Sequence, residues 1–98
     1  MTDIETLTDA LLAFREERDW AQFHNAKDLA IAISIESNEL LEAFLWKSAE
    51  ETKQEKIEEE LADIFSFALL LAHEKGLDVT SIILNKIEKK GQKTLTRR

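Results

Sequence analysis

Ninety-eight residues suffice for one domain with a modest core, so residues 1–98 are read as a single unit, and a net charge of −7 works against non-specific binding to duplex nucleic acid. No proline, two glycines, no tyrosine and an abundance of Ala, Leu, Ile, Glu and Lys predict an all-α chain, while zero cysteines exclude disulfides, thiolate metal sites and cysteine nucleophiles. No apolar run reaches the length of a membrane span and the opening MTDIETLTDA is acidic, so a cytoplasmic setting without membrane contact is expected.

Thr2-Asp3-Ile4-Glu5 has the form of a capping box, in which Thr2 and Glu5 satisfy each other's free backbone donors, and it predicts a first helix to about Asp19. Trp20 to His24 gathers aromatic rings and a histidine at a helix break and reads as a ligand-facing connection. Asn25 with Asp28 caps a second helix to about Trp46. Ser48-Ala49-Glu50-Glu51 is a further capping box and predicts a third helix ending before Gly76, its early part, rich in Glu and Lys, open to bending or fraying. Asp78 caps a fourth over Val79 to about Lys90, with Gly91 to Arg98 a polar, flexible tail.

Two carboxylate pairs stand out, Glu36/Glu39 and Glu60/Asp63, each spaced so that both acids share a helix face. In a chain that is 34% charged, such spacing by itself usually marks a solvated stripe. The surroundings here are different. Glu36 and Glu39 share their stripe with Leu29, Ala32, Leu40 and Ala43, and the opposite face carries Ala30, Leu41 and Leu45, so the helix is apolar nearly all round. In LADIFSFALLLA only Asp63 and Ser66 are polar. A carboxylate embedded in such a stripe costs several kcal/mol unless it is paired or coordinated. Lys53 and Lys56 lie on the Glu60 side, but no cation lies within a turn of Glu36 and Glu39, which makes a metal the simpler counter-ion. Four carboxylates from two helices form an all-oxygen site suited to Mg²⁺ or Mn²⁺. The Glu-x-x-His spacing of di-iron bundles is absent. The apolar faces of the 29–46 helix exceed what one small core uses, which predicts self-association as a homodimer or a dimer of dimers.

E-x-x-E followed, after 20 intervening residues, by E-x-x-D resembles the signature of the MazG-like all-α nucleoside triphosphate pyrophosphohydrolases. RDWAQFHNAKDLAIAISIESNELLEAFLWK is further similar to the dCTP pyrophosphatase branch. The resemblance covers about residues 12 to 95. It implies a four-helix MazG-like bundle that hydrolyses nucleoside triphosphates to monophosphate and pyrophosphate, with Mg²⁺ held by Glu36, Glu39, Glu60 and Asp63. Glu36 and Glu39 are the catalytic candidates; one of the carboxylates, Glu39 among the choices, also takes the proton of the attacking water, and the sequence does not separate ligand from base. A pyrimidine, dCTP-like or modified deoxynucleotide is the implied substrate. The rival reading is a helical oligomerisation or nucleotide-sensing module that keeps the metal site without turnover.

Trp20, Phe23 and His24 are suited to stack on a base or donate to its edge, and the resemblance implies that they and Trp46 line the base pocket. Lys27, Lys86, Lys89 and Lys93 are candidates for the triphosphate tail, since ammonium groups bind phosphate as point charges. His73 is read as a helix-end dipole partner, not a site residue. Two departures stand against the family pattern. Lys90 and Thr94-Leu95 replace an Asn and a Tyr-Pro, and Ala26 stands where proline is common, at a first-turn position where a missing donor costs nothing.

Overall fold

In the structure, a computed structural model, residues 1–19 and 25–96 are described, with backbone alone at Ala49 and 92–96. Thr2 Oγ1 accepts from the Glu5 amide and Glu5 Oε1 from the Thr2 amide, both at 3.1 Å, and this reciprocal cap opens helix α1, Asp3–Glu17. Asn25 Oδ1 accepts from the Asp28 amide at 2.8 Å and opens α2, Ala26–Phe44, as expected from the sequence.

The next start differs from the expectation. Glu51 Oε1 does accept from the Ser48 amide at 2.9 Å, but the cap supports only a 3-10 turn, Ala49–Glu51. Thr52 then turns extended and buries its hydroxyl, which donates toward Ala43 O at 3.4 Å and Ser48 O at 3.3 Å, tying the connection back to the end of α2. Helix α3, Gln54–Glu74, begins only after Lys53. It closes on Gly76, whose φ of +65° places it in the left-handed region, with Gly76 N–H to His73 O at 3.1 Å and Leu77 N–H to Ala72 O at 2.9 Å. That pair of bonds is the Schellman arrangement, for which glycine carries no Cβ penalty.

Asp78 Oδ2 accepts from the amide and hydroxyl of Ser81 at 2.9 and 2.6 Å and starts α4, Val79–Thr96. The helix runs through Gly91, past its expected end at Lys90. A single exposed glycine costs a helix about 1 kcal/mol, which is too little to end one whose flanking residues favour it.

The described chain is thus all-helical, with four α-helices. Helix α3 is the central element, packing on α2 and on α1. Leu29 of α2, 1% exposed, meets a core completed by Leu69, Leu70 and Ala72 of α3. Burying a leucine this fully contributes about 2–3 kcal/mol. Arg15 of α1 is buried and donates to Glu74 of α3. Helix α4 packs extensively on none of the others, and its residues 80–91 are exposed. No helix among the described residues is long and apolar enough to cross a membrane.

Candidate metal centre

The close packing of α2 on α3 decides where the two acidic pairs meet. Glu36 and Glu39 lie on the stripe of α2 that includes buried Leu29, while Ala30, Leu41 and Leu45 on the opposite face are exposed. Glu60 lies nearly two turns inside the start of α3 and is 4% exposed. Asp63, a turn further on, is on the exposed rim. One oxygen from each of Glu36, Glu60 and Asp63 lies within 4.8 Å of the others. Half-buried Glu39 adjoins the group, with its carboxyl within hydrogen-bonding reach of both Glu36 and Glu60.

Ionised carboxylates only accept hydrogen bonds, so neighbours of this kind are satisfied by a shared proton or by a cation between them. Burial, then the hydrogen bond and charge of Glu39, raise Glu36 from 4.5 to about 7, with Glu60 and Asp63 adding to the effect. Glu60 moves the other way. The ammonium of Lys56, 3.1 Å from Glu60 Oε1, holds its carboxyl below the usual range, against the opposing effect of burial. Lys56, which the sequence placed on the Glu60 side, thus supplies one positive charge. It does not supply enough. Glu36 Oε2 and Glu60 Oε2 are buried with no hydrogen-bond partner.

Unpartnered buried carboxylate oxygens are costly and call for explanation. The spacing fits a hard divalent ion, whose coordination shell spans about 4–5 Å between opposite oxygens for metal–oxygen bonds of about 2.1–2.4 Å. The donor set is all oxygen, as Mg²⁺, Mn²⁺ and Ca²⁺ prefer. The residues present therefore fit such an ion.

Two cavities adjoin the acids. On the Asp63 side, α1 and α3 enclose about 400 Å³ lined chiefly by Leu11, Phe14, Asp63, Ser66, Phe67 and Leu70. A second cavity, of about 280 Å³, reaches the group through Lys56 and is lined by Glu42, Ala43, Lys47, Thr52, Lys53 and Lys56. The sequence reading missed both. Phe67 follows Asp63 by four residues and Lys56 precedes Glu60 by four, so helical spacing already placed each beside its acid.

The other expected site residues whose side chains are described, Trp46, Lys27, Lys86 and Lys89, are exposed. Trp46 follows α2 with a φ of +66°, a conformation costly for a bulky side chain, and is 98% exposed. Lys27 is exposed in the first turn of α2, and Lys86 and Lys89 are exposed on α4. Lys93 is on α4, where only backbone is described, and Trp20, Phe23 and His24 lie outside the described residues. His73 is exposed in the last turn of α3.

Residues 31–97, which include all four acids, match the MazG-like family model. The chain belongs to the MazG-like family. This MazG-like chain is 32% identical over 88 residues to mouse dCTP pyrophosphatase 1, covering 82% of the chain and 52% of the relative. It is 35% identical over 83 residues to the bovine dCTP pyrophosphatase 1, covering 76% and 49%. The chain thus spans about half the length of the curated relatives it matches. Among solved structures, a pyrophosphatase from Archaeoglobus fulgidus superposes with a TM-score of 0.87 at 35% identity, covering 95% of this chain and 93% of that one. The MazG-like fold expected from the sequence is therefore present, and it includes α1, which lies outside the matched family segment.

Proposed function

We propose that this chain is a nucleoside triphosphate pyrophosphohydrolase that uses Mg²⁺, replaceable by Mn²⁺, and acts on pyrimidine deoxynucleotides of the dCTP type or on modified ones. The observation that carries the reading is the pair of unpartnered buried oxygens, Glu36 Oε2 and Glu60 Oε2, facing a shared acidic centre. The names of the relatives support the reaction and the base.

A divalent ion held by Glu36, Glu39, Glu60 and Asp63 would neutralise phosphate charge and bring a water to phosphorus. The chain supplies the rest. Packed helices hold the four carboxylates in place, so little reorganisation accompanies reaction. Glu39 takes a proton from the water as its oxygen bonds to the α-phosphorus and the bridging P–O bond breaks, releasing pyrophosphate and leaving the monophosphate. The cavity beside Asp63 has the size and apolar wall of a small-ligand pocket and would take the nucleoside, with the rings of Phe14 and Phe67 in its lining. Trp20, Phe23, His24 and Trp46 are proposed to complete base recognition, and Lys27, Lys86, Lys89 and Lys93 to attract the phosphate chain.

We also propose assembly as a homodimer or a dimer of dimers. Ile31, Ile35 and Leu41 on α2 and Ile82, Ile83, Leu84 and Ile87 on α4 are exposed in the single chain, and a second copy would cover them. Sedimentation that found a stable monomer at micromolar concentration would refute this.

Pyrophosphate release from each common ribo- and deoxynucleoside triphosphate, with and without Mg²⁺, tests the function. Release should require the metal and favour a pyrimidine deoxynucleotide, and Glu39→Gln should lower it by about 100-fold or more with helicity retained. Undiminished release by that variant would remove Glu39 from the mechanism. No release from any nucleotide would leave the nucleotide-sensing or oligomerisation module.

A further inference from the structure

Of the four carboxylates of the centre, Glu60 draws an ammonium, that of Lys56 at 3.1 Å. That pair is asymmetric. The Lys56 side chain is 49% exposed and free to leave, whereas that of Glu60 is 5% exposed and fixed. Lys56 Nζ takes Glu60 Oε1, and Glu60 Oε2 is left buried and unpartnered. A solvent-exposed i, i+4 pair contributes little, but here one partner is buried, and removing the lysine would leave an uncompensated charge. The lysine and a divalent ion therefore stabilise the same carboxylate. Both cannot do so fully, because an ammonium at Glu60 repels a cation placed between Glu60, Glu36 and Asp63.

We propose that Lys56 is a tethered counter-ion of the metal centre: it holds Glu60 while no divalent ion is bound, yields it when one binds, and thereby lowers the affinity of the centre for metal. The inference rests on the reading of the four acids as a metal site. The displaced ammonium has somewhere to go, because Lys56 also lines the cavity it shares with Lys47, Lys53 and Glu42. There it joins two other lysines and Glu42. Lys56 acts on the metal through Glu60 and is a positioning residue, not a catalytic one.

The probe is Mn²⁺ alone, titrated calorimetrically into wild type, Lys56→Met, which keeps the apolar stem, and Lys56→Arg, which keeps the charge. Lys56→Met should bind Mn²⁺ about three- to tenfold more tightly, and Lys56→Arg should stay near wild type. Thermal unfolding supplies a readout independent of turnover. Lys56→Met should melt lower than wild type in chelator, and the difference should shrink at saturating Mn²⁺, because the metal-loaded protein no longer uses the lysine. If wild type binds Mn²⁺ and Lys56→Met binds it equally or more weakly, the counter-ion role is overturned and the metal site stands. If wild type binds no Mn²⁺, the metal reading falls and this inference with it.

Discussion

Arg15 of α1 donates through Nη1 to Glu74 Oε1 of α3 at 3.3 Å, joining residues 59 positions apart with the arginine side chain only 10% exposed. The bond fixes the C-terminal half of α1 along α3, where the two helices wall the apolar cavity beside Asp63. Truncating Arg15 removes a charge and a packed stem together, whereas neutralising Glu74, whose side chain is 34% exposed, leaves a partner that water can serve. Arg15→Ala should cost about 2–3 kcal/mol in chemical denaturation and Glu74→Gln less than about 1 kcal/mol. Equal costs would show that the pair, not the buried arginine, sets the energy.

Glu36 makes stability depend on pH in the absence of metal. Its carboxyl ionises near the ordinary 4.5 in the unfolded chain and near about 7 in the folded one. Between those values the folded state holds more protons, so stability falls as pH rises through the window and levels above it. Glu60, held below its usual range by Lys56, acts in the opposite sense and only at pH below 4.5, where its contribution is lost on acidification. Melting in chelator between pH 5 and 8 should show the decline, and Glu36→Gln should flatten it. A flat wild-type profile would refute the buried protonated state of Glu36.

Three backbone positions should respond in different directions. Gly76→Ala forces a Cβ into a left-handed conformation and should destabilise by about 1–2 kcal/mol. Gly91 has no such φ and open space around an added Cβ, so Gly91→Ala should stabilise by about 0.5–1 kcal/mol. Ala26 is the first residue of α2, where an amide donor is unused, and Ala26→Pro should raise the melting temperature. Differential scanning calorimetry on the three variants checks all of them.

Much of the architecture is legible in short sequence patterns because helix starts are local events. Thr2 with Glu5, Asn25 with Asp28 and Asp78 with Ser81 satisfy free amides within one turn, and each marks a start the structure contains. The start of α3 is not local. Thr52 turns extended where its hydroxyl reaches the carbonyls of Ala43, nine residues back, and of Ser48, a contact that depends on the chain folding back on the end of α2. The inward placement of Glu36 and Glu60 was legible because their helix faces carry apolar neighbours, whereas Asp63 stays on the exposed rim. The choice of counter-ion was not, because whether Lys56 turns toward Glu60 or toward water depends on the packing of α2 over α3. The apolar cavity was hidden for a related reason, since Phe14 and Phe67 become neighbours only once α1 lies along α3.

Asp63 belongs both to the acidic group and to the wall of that cavity. A molecule filling the cavity and a cation seated among the acids would share a side chain, and whatever one does to the free energy of the other must be returned in equal measure. The two sites would then be thermodynamically coupled. Under the proposed function, a base that draws Asp63 away from the acids would loosen the cation and one that holds it there would tighten it, so discrimination between substrates would be written partly in metal occupancy.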